Sequence, residues 1–309
     1  EIGLVERQSG RIWADYDKGN IRGSSLNMGE FNALYQFDLD WLQCTARYTK
    51  SSLENQYEQS KDKYSIYLKN NIMSIKLGDF YPSIDQYALQ GHHVHGINYQ
   101  FNHGFFSFNF IKGNTARAIQ GNPANGAIEA RIDSTSENWE ISLSRNNYTF
   151  QQDLLASKIG LHFSKNIYWD FNFIKISDNI PSVQKNIDNA EIHITTTTGK
   201  DTVSYENLLI NYLDYFAGGT LEDIPNENWI GNKPLYNSIY GSNIKLAFDD
   251  NRFKVNSGFS VSYLNQNLWN RIDSISELDT FLFDRDSDGY FLNSIKLDNS
   301  LINYKDYFT

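Results

Sequence analysis

The sequence predicts an all-β protein: an antiparallel up-and-down β-barrel of the transmembrane kind, built of hairpins with short turns on one rim and long loops on the other. Three observations predict it. Apolar and polar residues alternate with period two along most of the chain. Short and long connections alternate between the resulting strands. The apolar face is rich in aromatic side chains, whereas the polar face carries charges of both signs in mid-strand.

Period two is the signature of a strand, because successive side chains point to opposite sides of the backbone. In Phe31 to Tyr48, Ala33, Tyr35, Phe37, Leu39 and Trp41 share one face, and Asn32, Gln36, Asp38 and Asp40 share the other. The segments that follow read as hairpins. Tyr64, Ile66 and Leu68 lead into Lys69-Asn70-Asn71, and Met73, Ile75 and Leu77 lead out. Ile97, Tyr99 and Phe101 lead into Asn102-His103-Gly104, followed by Phe106, Phe108 and Phe110. The same rhythm joins Ile128, Ala130 and Ile132 to Trp139, Ile141 and Leu143. It recurs from Ile159, Leu161 and Phe163 to Ile167, Trp169 and Phe171, and from Ile244, Leu246 and Phe248 to Phe253 and Val255. A weaker hairpin spans Glu191 to Leu213 around Gly199. Asn, Asp, Gly and Ser at the reversals tolerate the backbone angles that tight turns need.

The connections between hairpins are long: Gly78 to His92, Gly113 to Gly126, Asn146 to Asp153, Ser177 to Asn189, Asp214 to Tyr236 and Asn265 to Gly289. Short turns on one rim and long loops on the other are the pattern of outer-membrane barrels, and roughly fourteen strands are expected. A soluble β-sandwich also has one apolar and one polar face. Its Greek-key connections would scatter the long loops between both ends. The chain is expected to be one barrel domain over residues 1–309, incomplete as a barrel and part of a larger chain, since the pattern opens in mid-strand.

Composition narrows the function classes. Phe and Tyr number 20 each and Trp 6, against Met 2 and Cys 1, which favours strands. No run of about 18 apolar residues exists for a helical span, and the mean hydropathy is -0.53. Cys44 is the one cysteine, so no disulfide forms within the chain. A net charge of -10 with scattered Lys and Arg argues against nucleic acid as a partner.

The stretch Ile75-Lys-Leu-Gly-Asp-Phe-Tyr-Pro82, followed by Leu89-Gln-Gly-His-His-Val-His-Gly96, resembles a pattern of large Gram-negative outer-membrane barrels. These include Bacteroidetes-type porin-like barrels and the barrel of the gliding-motility secretion translocon. In that pattern a strand ends in Gly-Asp, a Pro follows, and a strand re-enters as Leu-x-Gly-x-x-Val-x-Gly. This chain has His92, His93 and His95 where Arg or Lys is usual. The resemblance implies an outer-membrane channel of that type. Within the motif, which ends at Gly96, Gly78 and Gly91 allow a sharp reversal, Asp79 can accept loop hydrogen bonds and Pro82 ends strand pairing.

Three constellations carry candidate chemistry. Asp284, Asp286 and Asp288, followed by Gly289, place oxygen ligands at alternate positions as in the start of a Ca²⁺ loop, although position twelve is Ile295 rather than Glu. His93 and His95 share a strand face and could bind Zn²⁺ or Cu²⁺ with Asp79. Glu129 and Glu140 lie on facing strands, as a glycosidase carboxyl pair would; with no hydrolase or phosphate-loop motif beside them, the chain is expected not to be an enzyme. Trp229 and Trp269, in long connections, are candidates for glycan or protein contact.

The resulting expectation is an outer-membrane channel for passive transport or protein export, in contact with outer-membrane lipid and with periplasmic or surface protein partners. Its lumen would be lined by Asp38, Asp40, Asn98, Gln100, Asn109, Glu129, Arg131, Glu140, Lys158, His162, Asp170 and Asn172. The alternative is a secreted or surface β-sandwich or solenoid that binds glycan or protein, stabilised by Ca²⁺.

Overall fold

The computed structural model describes residues 5–21, 24–84, 89, 91–122, 127–134, 139–183, 191–196, 199–204, 224, 226–248, 252–269, 291–292 and 295–297. These residues are almost entirely strand, joined by antiparallel hairpins. β1 (Val5–Ile21), β2 (Ser24–Leu39), β3 (Leu42–Ser51), β4 (Lys63–Lys69) and β5 (Met73–Phe80) run in order. β6 (Val94–His103), β7 (Phe106–Ala116), β8 (Ile128–Ser134), β9 (Trp139–Arg145), β10 (Gln151–Ser164) and β11 (Ile167–Asn179) follow. β12 (Glu191–Thr196), β13 (Gly199–Ser204), β14 (Tyr236–Phe248), β15 (Phe253–Asn265), β16 (Phe291–Leu292) and β17 (Ile295–Leu297) complete the set.

Thirteen strands form one antiparallel sheet in the order β1-β2-β3-β4-β5-β6-β7-β10-β11-β14-β15-β17-β16. Among the described residues β1 pairs with β2 alone, so the sheet is open at that edge. Four short turns fall at one end, whereas the two-residue connection between β1 and β2 lies at the other. Asp40-Trp41 joins β2 to β3, and Asn70 to Ile72 joins β4 to β5. Gly104-Phe105 joins β6 to β7, and Lys165-Asn166 joins β10 to β11. Local chemistry sets these reversals: Asn70 Oδ1 accepts from the backbone N–H of Ile72 at 2.9 Å and of Met73 at 2.8 Å. Gly104 takes a φ of +57°, which favours glycine. The long connections, 52–62, 81–93, 117–150 and 180–235, all emerge at the other end.

Two of the expected wall hairpins lie elsewhere. β8–β9 and β12–β13 belong to the long connections after β7 and β11, and together they form a separate four-stranded sheet, β13-β12-β8-β9. Within it β12 runs parallel to β8, with His193 opposite Glu129. The wall therefore passes directly from β7 to β10, with Phe108 opposite Ile159. As a result Glu129, Arg131 and Glu140, expected on the lumen wall, stand on the second sheet instead. Asp40 sits in a turn at the rim. The remaining expected lining residues are on the main sheet.

The register sorts the main sheet into two faces. Residues opposite one another in a ladder share a face, which links Tyr35, Ala46, Ile66 and Leu77. The same logic links Tyr99, Phe110, Ser157, Phe173 and Tyr240. This outer face is apolar and uncovered. Ile12 is 72% exposed, Phe171 42% and Phe259 66%, and the other exposed large apolar side chains within these strands lie on the same face.

The opposite, inner face is polar and packed. Ser74, Asn98, Asp170, Asn172 and Ser262 are buried there. Its glycines let neighbouring strands and side chains approach closely. A Cβ on Gly96 would stand 2.2 Å from the Lys112 carbonyl oxygen, and one on Gly113 would stand 2.4 Å from that of His95. Farther along, the space a Cβ would fill at Gly160 is taken by Ser107 and Tyr168. At Gly241 it is taken by Asn172 and at Gly258 by Asn243. Polar side chains thus occupy the space beside these glycines, and the large exposed apolar residues stand on the opposite face.

Candidate functional site: the polar inner wall and its inward loop

The centre of the inner wall is an ion pair. Lys158 on β10 and Asp170 on β11 approach to 3.2 Å, Nζ to Oδ2. Asp170 is fully buried and also accepts from Asn243 Nδ2 at 3.0 Å. A buried carboxylate is tolerated only with such partners. Lys158 lies opposite Asn109 on one side and Asn172 on the other. Gln100 accepts from Ser74 Oγ at 3.2 Å. Asn98 is buried on β6, Asp38 is half-buried on β2, and exposed His162 packs on Tyr168 at 4.5 Å between ring centroids.

The connection from β5 to β6 turns inward over this wall. Ile84 and Leu89 from the loop pack with Phe80, Val94, Ile111, Leu154, Ala156, Ile174 and Ile239 in an apolar cluster on the inner face. Leu89 is completely buried. Lys158 Nζ donates to the Ile84 carbonyl at 3.1 Å, so one cation holds both the wall carboxylate and the loop backbone. Leu89→Ala is expected to lower stability by about 2 kcal/mol, the low end for a buried leucine because a loop can partly collapse into the space. Urea unfolding of both proteins checks this; an unchanged midpoint would remove the cluster as the loop's anchor.

The Gly-Asp-Phe-Tyr-Pro motif shapes the start of that loop. Gly78 has a φ of +86°, and a Cβ there would meet the Tyr64 carbonyl oxygen at 2.1 Å, so both conformation and space call for glycine. Gly91 also has a positive φ, +77°. Asp79 Oδ2 accepts from the Tyr64 backbone N–H at 2.6 Å. Its Oδ1 lies 2.9 Å from His93 Nε2 and 3.0 Å from His95 Nδ1. The three residues considered as metal ligands thus meet at one carboxylate, where they join β4, β6 and the loop. Among the described residues no group of three or more side chains is arranged to hold a metal ion. Asp284, Asp286 and Asp288 lie outside the described residues.

Loop 52–62 is tied down at the same rim. Glu54 accepts from the backbone N–H groups of Lys61 at 2.6 Å and Asp62 at 3.0 Å, and it pairs with Arg117, just beyond β7, at 2.7 Å. Arg117 Nε also donates to the Glu58 carbonyl. Burial would raise the Glu54 pKa, but the two backbone donors and the guanidinium outweigh it and hold the carboxyl at about 2. Because the folded value lies below the usual 4.5, this contribution is full above pH 4.5 and disappears as the pH falls towards 2. Glu54→Gln is expected to lower the melting temperature at neutral pH and to flatten its fall between pH 4.5 and 2, so that the two proteins converge at the acid end, as read by acid titration of melting temperature.

An aromatic cluster fixes the longest connection. Trp229 is buried, stacks on Phe150 with centroids 5.8 Å apart, and meets Tyr148 and Trp269 edge-on at 4.8 and 5.5 Å. Arg145 lies over the Trp229 ring at 5.3 Å, and burial pushes its pKa down to about 10. Trp229, considered for glycan contact, is therefore packing; its indole N–H is taken by the Ile224 carbonyl at 3.1 Å. Glu129 pairs with Ser144 and Glu140 with Asp133, four positions apart. That places the two backbone positions about 13 Å apart along the strand.

Neither protein-family models nor curated proteins give a match to this chain.

Proposed function

We propose that the thirteen-stranded sheet is the wall of a transmembrane β-barrel in an outer membrane, with its polar inner face bordering a channel for passive transport or protein export. One observation carries the reading: the uncovered apolar face extends across strand after strand, while the opposite face holds the charges and amides. A water-soluble sheet hides its apolar face; a membrane barrel turns it outward and fills the interior with polar groups. Along β11 the apolar outer residues run from Ile167 to Phe173. At ~3.3 Å per residue that is roughly 20 Å of strand, extended by the end side chains and comparable with the ~25 Å apolar band of such barrels.

The rims support the same reading. Trp41, Phe105 and Phe163 are exposed at the short-turn end, and Tyr64 and Tyr81 at the long-loop end, as aromatic girdles would be. The loop carrying Ile84 and Leu89 narrows the channel from within, and the second sheet stands at the long-loop rim. That no helix among the described residues is long and apolar enough to cross a membrane bears on helical spans alone.

The test is extraction and conductance. The protein is expected to need detergent, to migrate differently on gels before and after heating, and to give discrete ion conductance in planar bilayers. Recovery as a monodisperse protein in detergent-free buffer would overturn the proposal.

A further inference from the structure

Resting on the barrel reading, we infer that the outer surface along β10 binds one membrane lipid with a phosphate headgroup. Its acyl chain would lie along the strand and its phosphate between Lys112 and Lys175.

The register builds the site. On the outer face, β10 presents Leu155, Ser157, Ile159 and Leu161. On one side β7 sets Phe110 beside Ser157 and Phe108 beside Ile159. On the other, β11 sets Phe173 beside Ser157 and Phe171 beside Ile159. The two phenylalanine rows are two strand spacings apart, about 10 Å. Between them the row drops at Ser157 to a hydroxymethyl group, while Ile159 beside it stands 40% exposed. The result is a short apolar trough at Ser157, walled by Phe110 and Phe173. Aromatic pairs stiffen its walls: the rings of Phe108 and Phe110 stack at 6.4 Å, and Trp169 and Phe171 meet at 4.6 Å.

The headgroup end is defined by charge. One rung above Ser157 the same register gives Lys112, Leu155 and Lys175 side by side. Lysine at the edge of an apolar band extends its ammonium towards the polar interface. Among the described residues neither lysine has a carboxylate within ion-pair distance. Lys175 instead lies over the Tyr236 ring at 5.4 Å. Two ammonium groups about 10 Å apart at the root can converge on one dianionic phosphate. The short-turn end of the same trough offers Phe105 and Phe163, both exposed, and so fixes the direction of the chain.

The experiment uses the full chain reconstituted in phosphatidylcholine bilayers with trace spin-labelled lipids. Labelled phosphatidic acid is expected at the protein boundary about threefold or more above labelled phosphatidylcholine, with the excess falling at high salt. Lys112→Gln with Lys175→Gln is expected to abolish the excess. Ser157→Phe, which fills the trough and leaves the charge alone, is expected to reduce it. Millimolar inorganic phosphate is expected to leave it intact; displacement by phosphate would mean a free-anion site and overturn the lipid assignment. Equal boundary occupancy of the two lipids, or an excess that survives the double substitution, overturns this inference alone. Failure of the wild-type chain to enter bilayers overturns the barrel reading together with it.

Discussion

Lys158→Ala is expected to destabilise the protein by about 3–5 kcal/mol, the cost of removing one partner of a buried ion pair. Asp170 is fully buried, and without Lys158 it would keep the Asn243 hydrogen bond but lose the one cation that pairs with it among the described residues. Loss of Nζ also frees the Ile84 carbonyl, so the inward loop loosens with the wall. Equilibrium unfolding in urea reads the first effect. Protease sensitivity near Ile84 reads the second. Replacing both partners by apolar residues of similar volume, Lys158→Met with Asp170→Leu, is expected to recover most of the loss, because the uncompensated charge goes with it. A single variant as stable as the wild type would mean that the pair is solvated and that the wall is wetter than the burial of Asp170 implies.

Phe171→Lys is expected to cost about 2–4 kcal/mol in lipid, the penalty for a cation at mid-depth on the lipid face of a barrel strand. The ring is 42% exposed and at the middle of the apolar band on β11. If that face met water, the same change would fall within about 0.5 kcal/mol, as exposed substitutions do. The variant therefore separates the two environments by magnitude. Unfolding of the reconstituted protein by denaturant gives the number, with Lys165→Gln in the short turn as a control expected to be silent.

The sequence foretold the strands better than their partners. β4–β5, β6–β7, β10–β11 and β14–β15 were legible because each joins two period-two runs through Asn, Asp, Gly or Ser. β1 was not: its outer residues Ile12, Ala14 and Tyr16 alternate with Arg11, Trp13 and Asp15, and the apolar Trp13 blurs the pattern. The second sheet was not legible either. Ile128 to Leu143 alternates like any wall hairpin, and nothing local records that β8 pairs with β12 rather than with β7. Reading Glu129, Arg131 and Glu140 as wall residues followed from that one pairing. For the inner wall, polarity marked Asn98, Lys158, Asp170 and Asn172. The closure of Lys158 on Asp170 depends on a diagonal between neighbouring strands that composition does not encode. Ile84 and Leu89 lie in a connection too short and irregular for periodicity, although two branched aliphatic residues in a loop are a signal of burial.

The open margin of β1 sets a condition on any assembled state. Its 17 residues offer hydrogen-bonding groups on both sides, and among the described residues only β2 answers them. Hydrocarbon can neither donate nor accept, and each backbone group left unanswered there carries a penalty of several kcal/mol. In a bilayer, oil cannot serve as the neighbour of that margin; polypeptide must run alongside it and complete the ladder, amide to carbonyl, over the depth of the apolar layer.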